Sequence, residues 1–435
     1  MRILALQSGT SADGIDTALV ELAASGEPRR PALDVRVLDV RTVGWEPGAR
    51  ETVLAAVEGA ALDPAGWCRL ETAVGQGLAS AGRAVVAETG PVDLVVSPGQ
   101  TVFHGVEGGR TWGTLQVGQP AWLAEALTTP VLFDVRVADV AAGGAGAPLI
   151  AAFDRLWLRD LAAEAGPGGV ATLNLGGIAN VQRVRPDGVD AFDTGPGNGL
   201  LDGVVRRATG RPYDADGELA RAGRVDEALL AALLDHPYFQ GPPTTTGRET
   251  FSLAVVDAAL DRVRGHGRTV GLEDQCATLV ELTARTVARG VARLSSAVGI
   301  RPAVRNGPGT AGRIPARGVP GLVIGSGGGM RNPSLVQALQ TALDREVGPG
   351  AVCLESSAAH GIDPDAREAV MFAVLGYLSV RRFPLDLPTR TTGRPRVAGH
   401  LAGWAFGGPA FAEAFADGID DVARLAVTSG PGGVA

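Results

Sequence analysis

Three times in this chain a short apolar run stops at a glycine-rich turn that bears a hydroxyl or a carboxylate. Residues 3–6 run into SGTSADGID (8–16), residues 172–175 into GGIAN (176–180), and residues 322–324 into GSGGGMRNP (325–333). Short apolar runs bounded by glycine read as buried strands. Glycine in the turn tolerates positive φ and lets backbone N–H groups close on an anion. A hairpin turn explains any one of these alone. Three, spread over the whole chain, point to a polyphosphate held between two halves of a protein. The first two turns are each followed by another alternating segment, residues 15–22 and 180–184. A strand, turn, strand unit therefore opens each half, which suggests a duplicated domain.

Two other phosphate motifs do not fit. The P-loop needs a lysine, and the chain has none. The dinucleotide fingerprint needs a helix after its turn, and no helical pattern with that spacing follows Gly14.

At 435 residues the chain is too long for one ordinary core, so two domains are expected. A net charge of −8 gives no electrostatic case for nucleic acid, and 5% aromatic residues are too few for a base-stacking platform. Cys68, Cys276 and Cys353 lie far apart without metal-type spacing. They read as reduced and mostly buried. The apolar run before Gln7 is too short for a signal peptide. Residues 369–380, the most apolar stretch, fall short of the ~20 needed to cross a bilayer and read as a core helix. The expectation is a soluble, cytoplasmic protein with no membrane or nucleic-acid partner.

Further helix is expected over residues 67–88, and a strand over 94–97 leads into PGQTVFH (98–104). Residues 130–148 are rich in Gly, Ala and Asp and carry Asp134, Arg136 and Asp139. The domain junction is expected there, with Gly143 to Gly146 as a hinge. In residues 276–294, Cys276, Leu279, Val280, Thr283, Val287 and Val291 share one helical face. Residues 235–250 and 301–318 read as loops, and 430–435 as a frayed end.

The sharpest motif is FDTGPGN (192–198). Asp193 ends an apolar run, where a carboxylate is placed to act as a general base. An Asx turn is the alternative, but beside the other turns catalysis is favoured. Asn198 either orients the turn or contacts substrate. Asp13 and Asp16 are candidates for Mg²⁺, directly or through water, and Thr10 and Ser11 for phosphate contacts. Turn chemistry with Gly14 competes for Asp13. Arg248 could read a substrate carboxylate, with Glu249 beside it, or both are solvated loop charge. His104 reads as a buried, hydrogen-bonded histidine.

Taken in order, SGTSADGID, PGQTVFH, GGAGAPL, NLGGIANV, FDTGPGN, TTGRETF, GSGGGMRNP and GIDPDAREAVMFA resemble the anhydro-N-acetylmuramic acid kinases. The resemblance runs from Arg2 to about Trp404. It implies an α/β fold of the actin-like, sugar kinase and heat-shock chaperone ATPase superfamily: two ribonuclease H-like domains with mixed sheets flanked by helices and an ATP cleft between them. Residues 1–134 would form the first domain, with about 365–404 packed on it. Residues 135–364 would form the second, and 405–435 an extension.

The implied reaction uses ATP and Mg²⁺ to phosphorylate the 6-oxygen of 1,6-anhydro-N-acetylmuramic acid while water opens the anhydro ring. The partner is thus a small amino sugar, and a homodimer is admitted. By motif, Gly9, Thr10, Ser11, Ala12, Asp13, Gly14, Ile15 and Asp16 match the first phosphate loop, with Asp13 the metal candidate. Gly176, Gly177 and Asn180 match the second, and Gly325, Gly327 and Gly328 the adenosine-side loop. Asp193 matches the catalytic base; Asn198, Arg136 and Glu368 are the substrate candidates. Three positions depart from the family's usual residues: Pro98 for histidine, Ala145 for glutamine and Gln7 for methionine. An ordinary sugar kinase would need the same base, and a nucleotide-binding chaperone or inactive relative would keep the loops.

Overall fold

The structure, a computed structural model, describes residues 1–9, 12–46, 48–108, 110–186, 188–241, 246, 250–265, 267, 269–294, 318–385 and 397–429. The chain divides into two compact units, Met1–Trp157 with His360–Ala435, and Leu158–Ala359.

The first unit begins with β1 (Arg2–Gln7), β2 (Ile15–Glu27) and β3 (Arg30–Val43), an antiparallel meander. After the helix Pro64–Thr89, capped by Asp63 accepting from the Gly66 N–H, come β4 (Leu94–Ser97), a hairpin of β5 (Gln100–Glu107) and β6 (Arg110–Val117), and β7 (Val131–Phe133). β4 lies parallel to β1, and β7 parallel to β4. The core order is therefore β3-β2-β1-β4-β7.

The second unit repeats this plan. β8 (Val170–Leu175), β9 (Ile178–Arg185) and β10 (Gly188–Pro196) form an antiparallel meander. β11 (Leu322–Ser326) and β12 (Cys353–Ser356) then add in parallel beside β8. Its order, β10-β9-β8-β11-β12, has the same directions strand for strand. The two ribonuclease H-like sheets expected from the family resemblance are present, and the repeated meander is the repeated strand, turn, strand pattern of the sequence. The helix Leu272–Leu294 is buried on nearly every face, more than the one stripe legible in its spacing. Gly290 permits its approach, since a Cβ there would overlap Thr194.

The chain then returns to the first unit. The helix Arg367–Val380 is the core helix expected of the most apolar stretch, and residues 369–380 are all buried. Leu4, Leu6 and Val95 share a core with Leu70, Val74 and Leu78 of the helix Pro64–Thr89. On the other face a Cβ at Gly376 would overlap Val96. A sheet covered on both faces explains why β1 and β4 read as continuous apolar runs.

β13 (His400–Ala402) pairs with β7, and β14 (Arg424–Ser429) pairs in parallel with the edge strand β3. β14 thus closes an edge that would otherwise offer unpaired backbone groups. Among the described residues no helix is long and apolar enough to cross a membrane. Only one cysteine matches the buried expectation. Cys276 is buried, but Cys68 on a helix and Cys353 on the edge strand β12 are exposed.

Candidate active site

In the first unit the turn after β1 is held from several sides. The Ala12 N–H donates to the Gly9 carbonyl at 3.0 Å, and Ala12 adopts a φ of 47°. Gln100, 1% exposed, donates from Nε2 to the same Gly9 oxygen at 3.2 Å. Arg50 donates from Nε to the Ala12 carbonyl at 2.9 Å and pairs with Asp13 Oδ1 at 3.1 Å. A Cβ at Gly14 would overlap the Thr42 side chain, so glycine there lets the turn run close against β3. Thr10 and Ser11 lie outside the described residues; Ala12 and Ile15 are buried beneath the turn.

The structure separates Asp13 from Asp16. Asp13 has a side chain 70% exposed. Asp16 is enclosed, with Oδ2 accepting from Gln7 Nε2 at 3.0 Å and Oδ1 from Thr42 Oγ1 at 2.7 Å. Burial pushes its carboxyl above the usual range, opposed by the Thr42 hydrogen bond and reinforced by Glu368, Asp365 and Asp13. Gln7, one of the family departures, therefore touches the first loop directly.

Arg136 and Glu368 belong to the same electrostatic neighbourhood. Burial lowers the Arg136 guanidinium, while Glu368 and Asp134 oppose the shift. Its Nη1 donates to the Gly146 carbonyl at 3.0 Å, and its buried Nε has no partner among the described residues. His104 hydrogen-bonds Thr114 through Nδ1 at 3.2 Å, and burial, then Arg136, lower it. Asp139 is structural, since it accepts from the Gly146 N–H at 2.9 Å and packs on Gly144. The Gly143–Gly146 turn falls inside the first unit. The Ala145 departure keeps its carbonyl as acceptor for Thr111 Oγ1 at 3.4 Å; Pro98 is buried between β4 and β5. Glu368 sits in the first turn of its helix, which buried Arg367 anchors through an ion pair with Asp154 and a seat over Trp157.

In the second unit, strand register places four residues in one row across one end of the sheet. Ser326 pairs with Asn174, Asn174 with Asn180, and Asn180 with Asp193. Gly176 and Gly177 turn β8 into β9, and FDTGPGN folds directly onto them. The Asn198 N–H donates to the Gly176 carbonyl at 2.9 Å, and the Gly197 N–H to the Gly177 carbonyl at 3.0 Å. A Cβ at Gly197 would overlap the Gly176 oxygen. Asn198 also heads the helix Gly199–Thr209.

The third turn packs behind the second. Gly325 approaches Met330, Gly327 at φ 87° approaches Asn174 and Leu175, and Gly328 opens a short 3₁₀ turn.

Asp193 supplies the carboxylate of the row. Burial pushes its carboxyl up to about 6, partly opposed by the Thr246 N–H, which donates to Oδ2 at 2.7 Å. Tyr238 donates its hydroxyl to the Asp193 carbonyl at 2.7 Å, and Thr283 donates to the Pro196 and Gly197 carbonyls at 3.1 and 2.8 Å. A carboxylate held off its edge strand, half dehydrated and tethered by one backbone N–H, suits proton abstraction near neutral pH.

Arg248 and Glu249 lie outside the described residues. Sequence reasoning noted Gln7 only as a family departure and gave no site role to Arg50, Gln100, Thr246 or Thr283. Gln100 and Thr246 stand inside motifs it had noticed, whereas Arg50 and Thr283 sit on helices whose spacing advertises only packing.

A sequence model of the family described as Anhydro-N-acetylmuramic acid kinase matches residues 1–308 and 316–401. A relative of that name from Streptomyces avermitilis is 42% identical over 407 residues, covering 92% of this chain and 94% of its own. Another from Rhodococcus erythropolis is 38% identical, covering 91% and 92%. Among solved structures, a ROK hexokinase from Thermus thermophilus aligns with a TM-score of 0.36 at 17% identity, over 86% of this chain and 99% of its own. With the family model spanning most of its length and relatives near 40% identity end to end, the chain belongs to the anhydro-N-acetylmuramic acid kinase family.

Proposed function

We propose that the protein uses ATP to phosphorylate the 6-oxygen of 1,6-anhydro-N-acetylmuramic acid while water opens the anhydro ring, giving N-acetylmuramic acid 6-phosphate in the cytoplasm. The observation that carries the proposal is Asp193, raised to about 6 by burial in a row of polar residues beside two glycine turns. The 6-oxygen of this sugar is an ether, so it has no proton to lose and no free lone-pair charge with which to attack ATP. Its bond to the anomeric carbon must break first.

Asp193 takes one proton from a water whose oxygen bonds to that carbon. The electron pair of the breaking C–O bond goes to the 6-oxygen, which accepts the γ-phosphoryl group as ADP departs. The chemistry is that of an inverting glycosidase in which a phosphoryl group replaces the general acid. One carboxylate is then enough.

We assign Gly9 to Asp16, Gly176, Gly177 and Asn180 to the phosphates, and Gly325, Gly327 and Gly328 to the adenosine side. Arg136, whose buried Nε has no partner among the described residues, Glu368 and Asn198 are assigned to the sugar. Among the described residues no group of three acidic, histidine or cysteine side chains could cage a metal. Asp13, exposed on the first loop, would hold Mg²⁺, and the ion would neutralise charge on the transferring group.

The test is product analysis with ATP, Mg²⁺ and the anhydro sugar. A product heavier by one phosphoryl group and one water supports the proposal. Gain of a phosphoryl group alone would make the protein an ordinary sugar kinase, and no product an inactive relative or a chaperone-like ATPase.

A further inference from the structure

Thr246 gives Asp193 its tether, but only through the backbone. Its N–H donates to Oδ2 at 2.7 Å, which fixes that oxygen and leaves Oδ1 as the one without a hydrogen bond among the described residues. The hydroxyl of the same threonine is buried and has no hydrogen-bond partner among the described residues. A buried, unmade hydrogen bond costs about 1–3 kcal/mol, and buried polar groups in proteins are otherwise nearly always paired. Valine would fill the same volume without that penalty. A threonine beside a general base thus has a hydroxyl suited to a ligand that the described fold does not supply.

Resting on the proposed reaction, the geometry points to Thr246 Oγ1 as the second holder of the attacking water. A water that attacks carbon must aim a lone pair at it, so both of its O–H bonds point elsewhere. One goes to Asp193 Oδ1, which takes the proton. The other needs an acceptor close to Asp193 that does not itself compete for that proton. A neutral hydroxyl meets this need, whereas a second carboxylate there would raise Asp193 further and weaken the distinction between base and acceptor. One residue would then fix the carboxylate through its amide and the water through its side chain.

The experiment compares wild type, Thr246→Val and Thr246→Ser in ring opening and phosphorylation. Thr246→Val keeps the amide bond to Oδ2 and loses only the hydroxyl. It should lower kcat roughly 10- to 100-fold, with KM for ATP unchanged and the ionisation near pH 6 in place. Its Tm should hold or rise, because an unpaired buried hydroxyl is gone. Thr246→Ser should recover most of the rate.

A Thr246→Val enzyme with wild-type kcat would overturn the inference, as would a loss confined to KM for the sugar, which would mean a substrate contact. A Thr246→Ser variant as slow as Thr246→Val would mean that packing alone is at stake. A wild type that forms no ring-opened phosphate would overturn the proposed reaction and this inference together, whereas an active wild type with an equally active valine variant would overturn the inference alone.

Discussion

Replacing Asp193 by Asn should destroy the activity and stabilise the fold, and the pH dependence of the second effect follows from the structure. The folded carboxyl titrates at about 6 against an ordinary 3.8, with burial as the main cause. Between those values the folded state holds a proton that the unfolded state has lost. Stability is therefore fully present below the unfolded value and falls as pH rises through about 6. At ~1.36 kcal/mol per pKa unit the loss is about 3 kcal/mol above pH 7.

Asn cannot ionise, yet its amide oxygen still accepts from Thr246. Asp193→Asn should accordingly gain up to about 3 kcal/mol at pH 8 and almost nothing at pH 3.5. Urea unfolding of the ligand-free proteins at both pH values, followed by a probe in the second unit, reads this difference. Turnover should fall by ~10²–10⁴ or more, and wild-type kcat/KM should rise through about pH 6. Equal stability changes at the two pH values would refute the claim that Asp193 is a dehydrated carboxylate.

Asp13→Ala should raise KM for Mg·ATP with little change in Tm, because the side chain is 70% exposed; steady-state kinetics at limiting Mg·ATP check this. Gly197→Ala, whose Cβ would overlap the Gly176 carbonyl oxygen, should cost ~1–3 kcal/mol and displace Asp193, seen as parallel losses of stability and kcat. Truncation after residue 403 removes buried Ile419, Val422, Leu425 and Val427, each worth roughly 1.5–3 kcal/mol of burial. It also bares β3, so lower Tm and concentration-dependent aggregation by light scattering should follow.

The glycine turns were legible because each apolar run is a strand covered on both faces and each turn is packed against another backbone. Asp193 was legible because it stands in FDTGPGN, where an apolar run ends at a glycine-rich turn. The cysteines show the opposite case: nothing local to Cys68 or Cys353 tells which helix face or sheet edge meets water. Arg50, Thr283 and the Asp154–Arg367 pair act across distances of sequence that no spacing rule connects; Asp154 and Arg367 are 213 residues apart. The β14 strand was unreadable for a related reason. Its partner β3 lies at the other end of the chain, and its own residues, alternating weakly, look like any edge.

Reaction in ¹⁸O-labelled water tests the central claim most directly. If Asp193 directs water onto the anomeric carbon while the 6-oxygen takes the phosphoryl group, product sugar should carry the label on the anomeric carbon and its phosphate should carry none. Label in the phosphate, with none on the sugar, would contradict the claim, because it would mean that water attacks ATP.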